Sequence, residues 1–306
     1  MPPLLFRPSL RSAALSISKL GAVRAYSSAI ETVPLAFTRH DPPADSSKPA
    51  APLGPLVILH GLFGSKQNNR SLSKAFAQRL NTPVYAVDLR NHGESPHIKH
   101  HDYEAMAADV EAFIGAHELP PSTVLMGHSM GAKAAMAVAL RQPDLISRVI
   151  AVDNAPIEAT LASGFGSYMR AMKHIESAKV KKQSQADEIL AQYEKDIAVR
   201  QFLLTNATKV KGEEHIQWRI PVSILQSALD RMGSFPYHPD KIRCVKPALF
   251  VRGTRSHYVP DEVIPIIGQF FPRFTLKDIE AGHWVMAEKP AEFIDIVVEW
   301  LHSEQE

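Results

Sequence analysis

The sequence predicts an α/β protein, built on a mostly parallel sheet with flanking helices and one helical insertion. Short, continuously apolar runs alternate with longer segments whose apolar residues recur every three or four positions. That is the pattern of strands buried on both faces with amphipathic helices between them. The alternation is suspended once, from residue 157 to 236, where helical patterns run on without strands. The length, 306 residues with 45% hydrophobic, gives ample material for one large core.

Taken in order, Pro34–Arg39 reads as a first strand. A Pro/Ala/Ser-rich stretch from about 40 to 55 without periodicity follows and reads as a surface loop. Leu56–Leu59 is strand-like, and Ser71–Leu80 places Leu72, Ala75, Phe76 and Leu80 on one helical face. Val84–Val87 is a strand, and Tyr103–His117 repeats an apolar face through Met106, Val110, Phe113 and Ile114. Val124–Met126 is a strand, Ala132–Arg141 a helix and Val149–Val152 a strand. Within the insertion, Tyr168–Ala178, Ala186–Leu204 and Val222–Met232 read as helices. Strands resume at Ala248–Val251 and Phe274–Ile279, and a helix over Ala291–Leu301 closes the chain. The domain layout is therefore a core of 31–156 and 237–306 with a helical cap of 157–236 over its functional face.

Residues 1–30 stand apart. Four of the 34 basic side chains (Arg7, Arg11, Lys19 and Arg24) and none of the 32 acidic ones fall there, among six serines. This is the composition of a mitochondrial transit peptide. A secretory signal would need a continuous apolar core, which Lys19 and Arg24 interrupt. Without the leader the formal charge falls from +2 to −2, which gives no electrostatic case for nucleic acid. One cysteine excludes a disulfide framework and any CxxC-type metal site. No run approaches the roughly 18 apolar residues of a membrane helix, so no integral membrane segment is expected. Asn206-Ala207-Thr208 matches a glycosylation sequon, which carries no meaning in a mitochondrial protein.

The chemistry begins at Gly127-His128-Ser129-Met130-Gly131, a G-x-S-x-G between a strand and a helix. That context is the nucleophile elbow: a tight, strained turn that presents a serine at a helix N-terminus. A serine needs a base, and His283 in Ala281-Gly282-His283-Trp284 follows the last strand, on the sheet edge where Ser129 emerges. His97, His100 and His101 beside Asp102 lack a zinc-protease spacing, and no metal is expected. Two acids compete for the third position. Asp153 ends the strand after the nucleophile's helix, whereas Asp261 follows the penultimate strand, whose loop carries Ser256 where an aspartate is expected. Proximity to Ser129 favours Asp153. Oxyanion donors are expected from the backbone of Met130 and of Leu62 in His60-Gly61-Leu62-Phe63-Gly64-Ser65, with Phe63 as second choice. No P-loop and no dinucleotide fingerprint occurs, so no cofactor is expected.

The segments HGLFGSKQNN, VDLRNHGESPH, GHSMGAKAAM, VDNAP and AGHWVMAEKP resemble the α/β-hydrolase superfamily. Within it they resemble the mitochondrial group of α/β-hydrolase domain-containing protein 11 and the fungal ethanol acetyltransferases. The resemblance spans roughly 34 to 301. It implies Ser129 as nucleophile, Asp153 as acid and His283 as base, in an esterase, thioesterase or alcohol acetyltransferase resident in mitochondria. An acyl-serine follows from the serine nucleophile. Water as acceptor gives hydrolysis, an alcohol gives an ester, and acetyl-CoA or another acyl-CoA would be a substrate. Phe63, Tyr258 and Trp284 flank the expected catalytic groups and predict an apolar pocket for a small-molecule, short-chain ester or acyl thioester. A scaffold that binds and protects a mitochondrial partner is the competing function, which a degraded triad would favour.

Overall fold

The computed structural model describes residues 30–43, 53–158, 163–209, 212 and 214–303. The expected transit peptide and most of the expected loop at 40–55 lie outside them. Seven strands form the main sheet: β1 (Phe37–His40), β2 (Leu56–Leu59), β3 (Val84–Val87), β4 (Val124–His128), β5 (Arg148–Val152), β8 (Ala248–Gly253) and β9 (Phe274–Ile279). Their order is β1-β3-β2-β4-β5-β8-β9. β1 runs antiparallel to β3, and every other neighbouring pair is parallel. Strands β2 and β3 are buried at every position, which is why they read as unbroken apolar runs.

Helices cover both faces. α1 (Arg70–Leu80) and α10 (Pro290–Ser303) pack on one side, where Phe76 meets Phe293 edge-on at 6.1 Å. α2 (Tyr103–Ala116) and α3 (Met130–Arg141) cover the other. Asp102 starts α2 by accepting the Ala105 N–H at 2.9 Å, an N-cap that satisfies one of the helix's free donors. From β2 the chain moves outward to β3 and returns to β4 on β2's other side. The loops after β2 and β4 therefore diverge around a crevice at the strands' C-terminal ends, the usual ligand position in such sheets.

The segment between β5 and β8 carries α4 (Ser163–Ala178), α5 (Gln183–Leu190), α6 (Ile197–Leu204) and α7 (Val222–Gly233). It departs from the sequence expectation twice. The single helix expected over Ala186–Leu204 is two, because the chain turns after Leu190 and Asp196 caps a new helix by accepting the Ala198 N–H at 2.7 Å. The segment is also not free of strands. β6 (Ala207–Thr208) pairs antiparallel with β7 (Gln217–Trp218), and two residues per strand are too few to show a period. Two short helices, α8 (Ile264–Phe270) and α9 (Val285–Glu288), flank β9.

Candidate active site

Ser129 joins β4 to α3 with φ 53° and ψ −113°, a left-handed backbone that a non-glycine residue holds only under constraint. The constraint is visible. Its N–H donates to the Val152 carbonyl at 2.9 Å, and its carbonyl accepts the Asn154 side-chain amide at 3.1 Å. The flanking glycines are steric necessities. A Cβ on Gly127 would stand 2.0 Å from the Gly131 carbonyl oxygen, and one on Gly131 would stand 2.6 Å from the Leu59 and His60 carbonyl oxygens. The turn is thus pressed onto the end of β2, and Ser129 keeps 6% exposure.

Ser129 Oγ lies 2.9 Å from His283 Nε2, and His283 Nδ1 lies 2.6 Å from Asp153 Oδ2. A carboxylate accepts only, so Nδ1 carries the imidazole proton and Nε2 is left to accept from the serine hydroxyl. Asp153 is fully buried, and it too has a positive φ, 50°. Its Oδ1 accepts the Gly253 N–H at 3.0 Å, and its Oδ2 also accepts the Ser256 hydroxyl at 2.5 Å. Asp261, the competing acid, is 79% exposed and pairs with Arg252 at 2.6 Å. Ser256 therefore occupies the loop where an acid was expected and hydrogen-bonds the acid that stands one strand over.

The His283 imidazole is held as firmly as its partners. Tyr258 stacks on it with ring centroids 4.1 Å apart, and Trp284 meets it edge-on at 5.8 Å. His128 donates from Nε2 to the His283 carbonyl at 2.8 Å. Burial, reinforced by the neighbouring His283, pushes His128 down to about 4, so it serves as a neutral donor.

Among the described residues, neither the Leu62 nor the Met130 N–H donates to any group. Phe63 differs: φ is 65°, its N–H donates to His92 Nε2 at 3.2 Å, and its carbonyl accepts the Asn206 amide at 2.8 Å. Leu62 therefore has the free donor of the two. His60 accepts the Leu89 N–H at Nε2 and donates from Nδ1 to Gly61, while His92 donates from Nδ1 to Arg90. Burial lowers both imidazoles and keeps them neutral, as these bonds require. Asp88 completes the foundation, accepting the Lys66 N–H at 2.6 Å, its ammonium at 2.5 Å and the Glu94 N–H at 2.9 Å. Sequence reasoning missed these supports. Their only local signal is a histidine beside a glycine, at His60-Gly61 and His92-Gly93.

Ser129 and His283 open into a cavity of about 470 Å³. Phe63 and Trp284 wall it beside these two residues, and Phe165, Tyr168 and Phe202 reach it from α4 and α6. Tyr258, expected in that wall, is not in it and instead backs the His283 ring. Asn69 and Leu72 of the α1 region and Ile294 of α10 line the same cavity. The histidine-rich loop is dispersed: His100 contacts Asp102, and His101 turns inward to Asn91. Among the described residues, no group of three His, Cys, Asp or Glu side chains is placed to hold a metal ion. None of their helices is long and apolar enough to cross a membrane.

Comparison with known proteins identifies the fold and the family. The alpha/beta hydrolase fold family matches residues 54–290. A probable alcohol acetyltransferase of Saccharomyces cerevisiae is 42% identical over 270 residues, covering 83% of this chain and 79% of that protein. The mouse sn-1-specific diacylglycerol lipase ABHD11 is 39% identical, covering 89% and 86%. Among solved structures, a marine microorganism esterase superposes with a TM-score of 0.79 at 32% identity, covering 88% of this chain and 99% of that one.

Proposed function

As a member of the α/β-hydrolase family, this chain is, we propose, a serine hydrolase that cleaves short-chain esters or acyl thioesters through an acyl-serine. The observation that carries this is the continuous relay from Ser129 Oγ through His283 to the buried Asp153 carboxylate, at 2.9 and 2.6 Å. Ser129 Oγ attacks the substrate carbonyl while His283 Nε2 takes its proton. Asp153 holds the imidazole in the required tautomer and stabilises the imidazolium. The negative charge on the carbonyl oxygen falls to the Leu62 and Met130 N–H groups. His283 then protonates the departing alcohol or thiol, and the acyl group remains on Ser129. In the second half the acceptor gives its proton to His283 and attacks the acyl-serine, and Ser129 recovers its hydrogen. No cofactor enters either half.

Which acceptor arrives decides the product. The mouse relative's name supports water, and the yeast relative's name supports an alcohol that accepts an acetyl group. The secluded position of Ser129 in an apolar cavity supports competition by a small alcohol. In this reading residues 31–156 and 237–306 are the catalytic core and 157–236 its cap, and the composition of residues 1–30 supports residence in mitochondria. An unbroken relay disfavours a scaffold with incidental activity.

A fluorophosphonate probe tests the nucleophile: it should label the wild type and not Ser129→Ala, and equal labelling of both would overturn the assignment. Products formed from acetyl-CoA as ethanol is raised test the acceptor. Ethyl acetate that rises with ethanol and is lost in Ser129→Ala supports transfer, whereas acetate alone leaves a hydrolase.

A further inference from the structure

The apolar walls of the cavity admit water and a small alcohol alike, but a polar group beside the nucleophile can tell them apart. His128 lines the cavity, is 7% exposed, and gives its Nε2 hydrogen to the His283 carbonyl at 2.8 Å. With Nε2 protonated and the ring neutral, Nδ1 carries a lone pair. Among the described residues nothing donates to it, and it is not sealed in the interior as the unpartnered Nε2 of His101 is. Its surroundings place it at the reaction. A Cβ on Gly61 would stand 3.0 Å from Nδ1 and 3.3 Å from the Ser129 Cβ, so the two border one hollow that the glycine keeps clear. The His128 and His283 rings stand side by side, with centroids 4.9 Å apart.

Water and an alcohol differ here in one respect. Each has a hydrogen to give to His283, but only water has a second O–H. An alcohol in the same place turns carbon toward Nδ1 and leaves that lone pair unpaired. A site built to pair a hydroxyl rejects an analogue that lacks one more strongly than an apolar wall rejects by size.

We propose that His128 is a specificity-determining residue, whose Nδ1 accepts the second hydrogen bond of the attacking water and so favours hydrolysis over transfer to an alcohol. This rests on the acyl-serine chemistry proposed above. Water adds its oxygen to the acyl carbon as one hydrogen passes to His283 Nε2, while its other O–H donates to His128. When the tetrahedral intermediate collapses, the bond to Ser129 Oγ breaks and Oγ takes the hydrogen from His283. The acid leaves with the hydrogen that faced His128.

The test is the ratio of methyl acetate to acetate formed from p-nitrophenyl acetate at a fixed methanol concentration. Both products come from one acyl-enzyme, so the ratio does not depend on how much of a variant is folded. Glutamine carries its terminal nitrogen about as far out as Nε2, which keeps the bond to His283 without an acceptor at Nδ1. The asparagine oxygen stands about where Nδ1 does. His128→Gln should raise the ratio about tenfold, the size expected of one hydrogen bond, and His128→Asn should stay within about threefold of the wild type. An unchanged ratio in His128→Gln, an equal rise in both variants, or acetate alone from all three proteins overturns the proposal. Phenyl acetate, run in parallel, separates this reading from the one beneath it, because a shared acyl-serine gives the same ratio from both esters. A ratio that changes with the leaving group would remove the acyl-serine and the proposal with it. Failure at His128 alone leaves the two esters in agreement.

Discussion

Asn206 donates its side-chain amide to the carbonyl of Phe63, 143 residues earlier in the chain, at 2.8 Å. On its other side Phe63 gives its N–H to His92. The residue after Leu62 is thereby clamped between the sheet domain and the end of α6. Asn206→Ala should lower kcat about 10- to 100-fold with KM within about threefold, somewhat less than outright loss of an oxyanion donor. Steady-state kinetics on a p-nitrophenyl ester check this, and an unchanged kcat would remove Asn206 from the positioning of the loop.

The burial of Asp153 against the exposure of Asp261 makes their variants unequal. Asp153→Asn should fold normally and lose up to about 10⁴-fold in kcat, as a triad does when its acid no longer fixes the tautomer. Asp261→Asn should stay within about twofold. The opposite ranking, at matched melting temperatures, would move the role to Asp261.

Ser256 and His283 both reach Oδ2 of Asp153. Ser256→Ala removes a hydrogen bond to a charged group and should cost roughly 10-fold in kcat. The stronger test is a transfer. Adding Ser256→Asp to Asp153→Asn places a carboxylate on the neighbouring strand's loop, and should restore at least about tenfold over Asp153→Asn alone. No restoration would mean that this loop cannot present an acid to His283.

Lys133 is 2% exposed, and its ammonium donates to the Gly233 and Ser234 carbonyls at 3.1 Å each. Burial lowers it to about 8, below the usual value near 10.5. Below pH 8 the folded and unfolded chains both hold the proton, so the burial cost is constant. From about pH 8 to 10.5 the unfolded chain binds more protons, so raising the pH favours folding at this site. Across that window the wild type should gain stability relative to Lys133→Met, by up to about 3 kcal/mol. A constant difference in denaturant unfolding from pH 7 to 10.5 would count against it.

The sequence was most legible where structure is local and periodic. Strands β2 and β3 fall at their expected bounds, because burial leaves its mark on every residue of an apolar run; β9, at the sheet edge with Lys277 and Asp278 exposed, falls at its expected bounds as well. The elbow was legible because steric need at Gly127 and Gly131 writes itself into composition. Two-residue strands and the turn before Asp196 leave no such mark. The supports of the loop after β2 were hidden for another reason. His60 meets Leu89 and His92 meets Phe63 across 29 residues, so each looks in sequence like an ordinary polar residue beside a glycine. Asn206 was misleading, since the surroundings that matched a sequon belong to a side chain buried against Phe63.

The bond from Asn206 to Phe63 also ties two distant parts of the chain to one another. A displacement of α6 away from the β2 edge would break the same contact that steadies the loop bearing Leu62. In the acyl-serine mechanism proposed above, an opening of that kind would admit bulk water only as the Leu62 donor left its place, so the attack of water on the acyl group would lose its charge-stabilising partner at the moment water arrived.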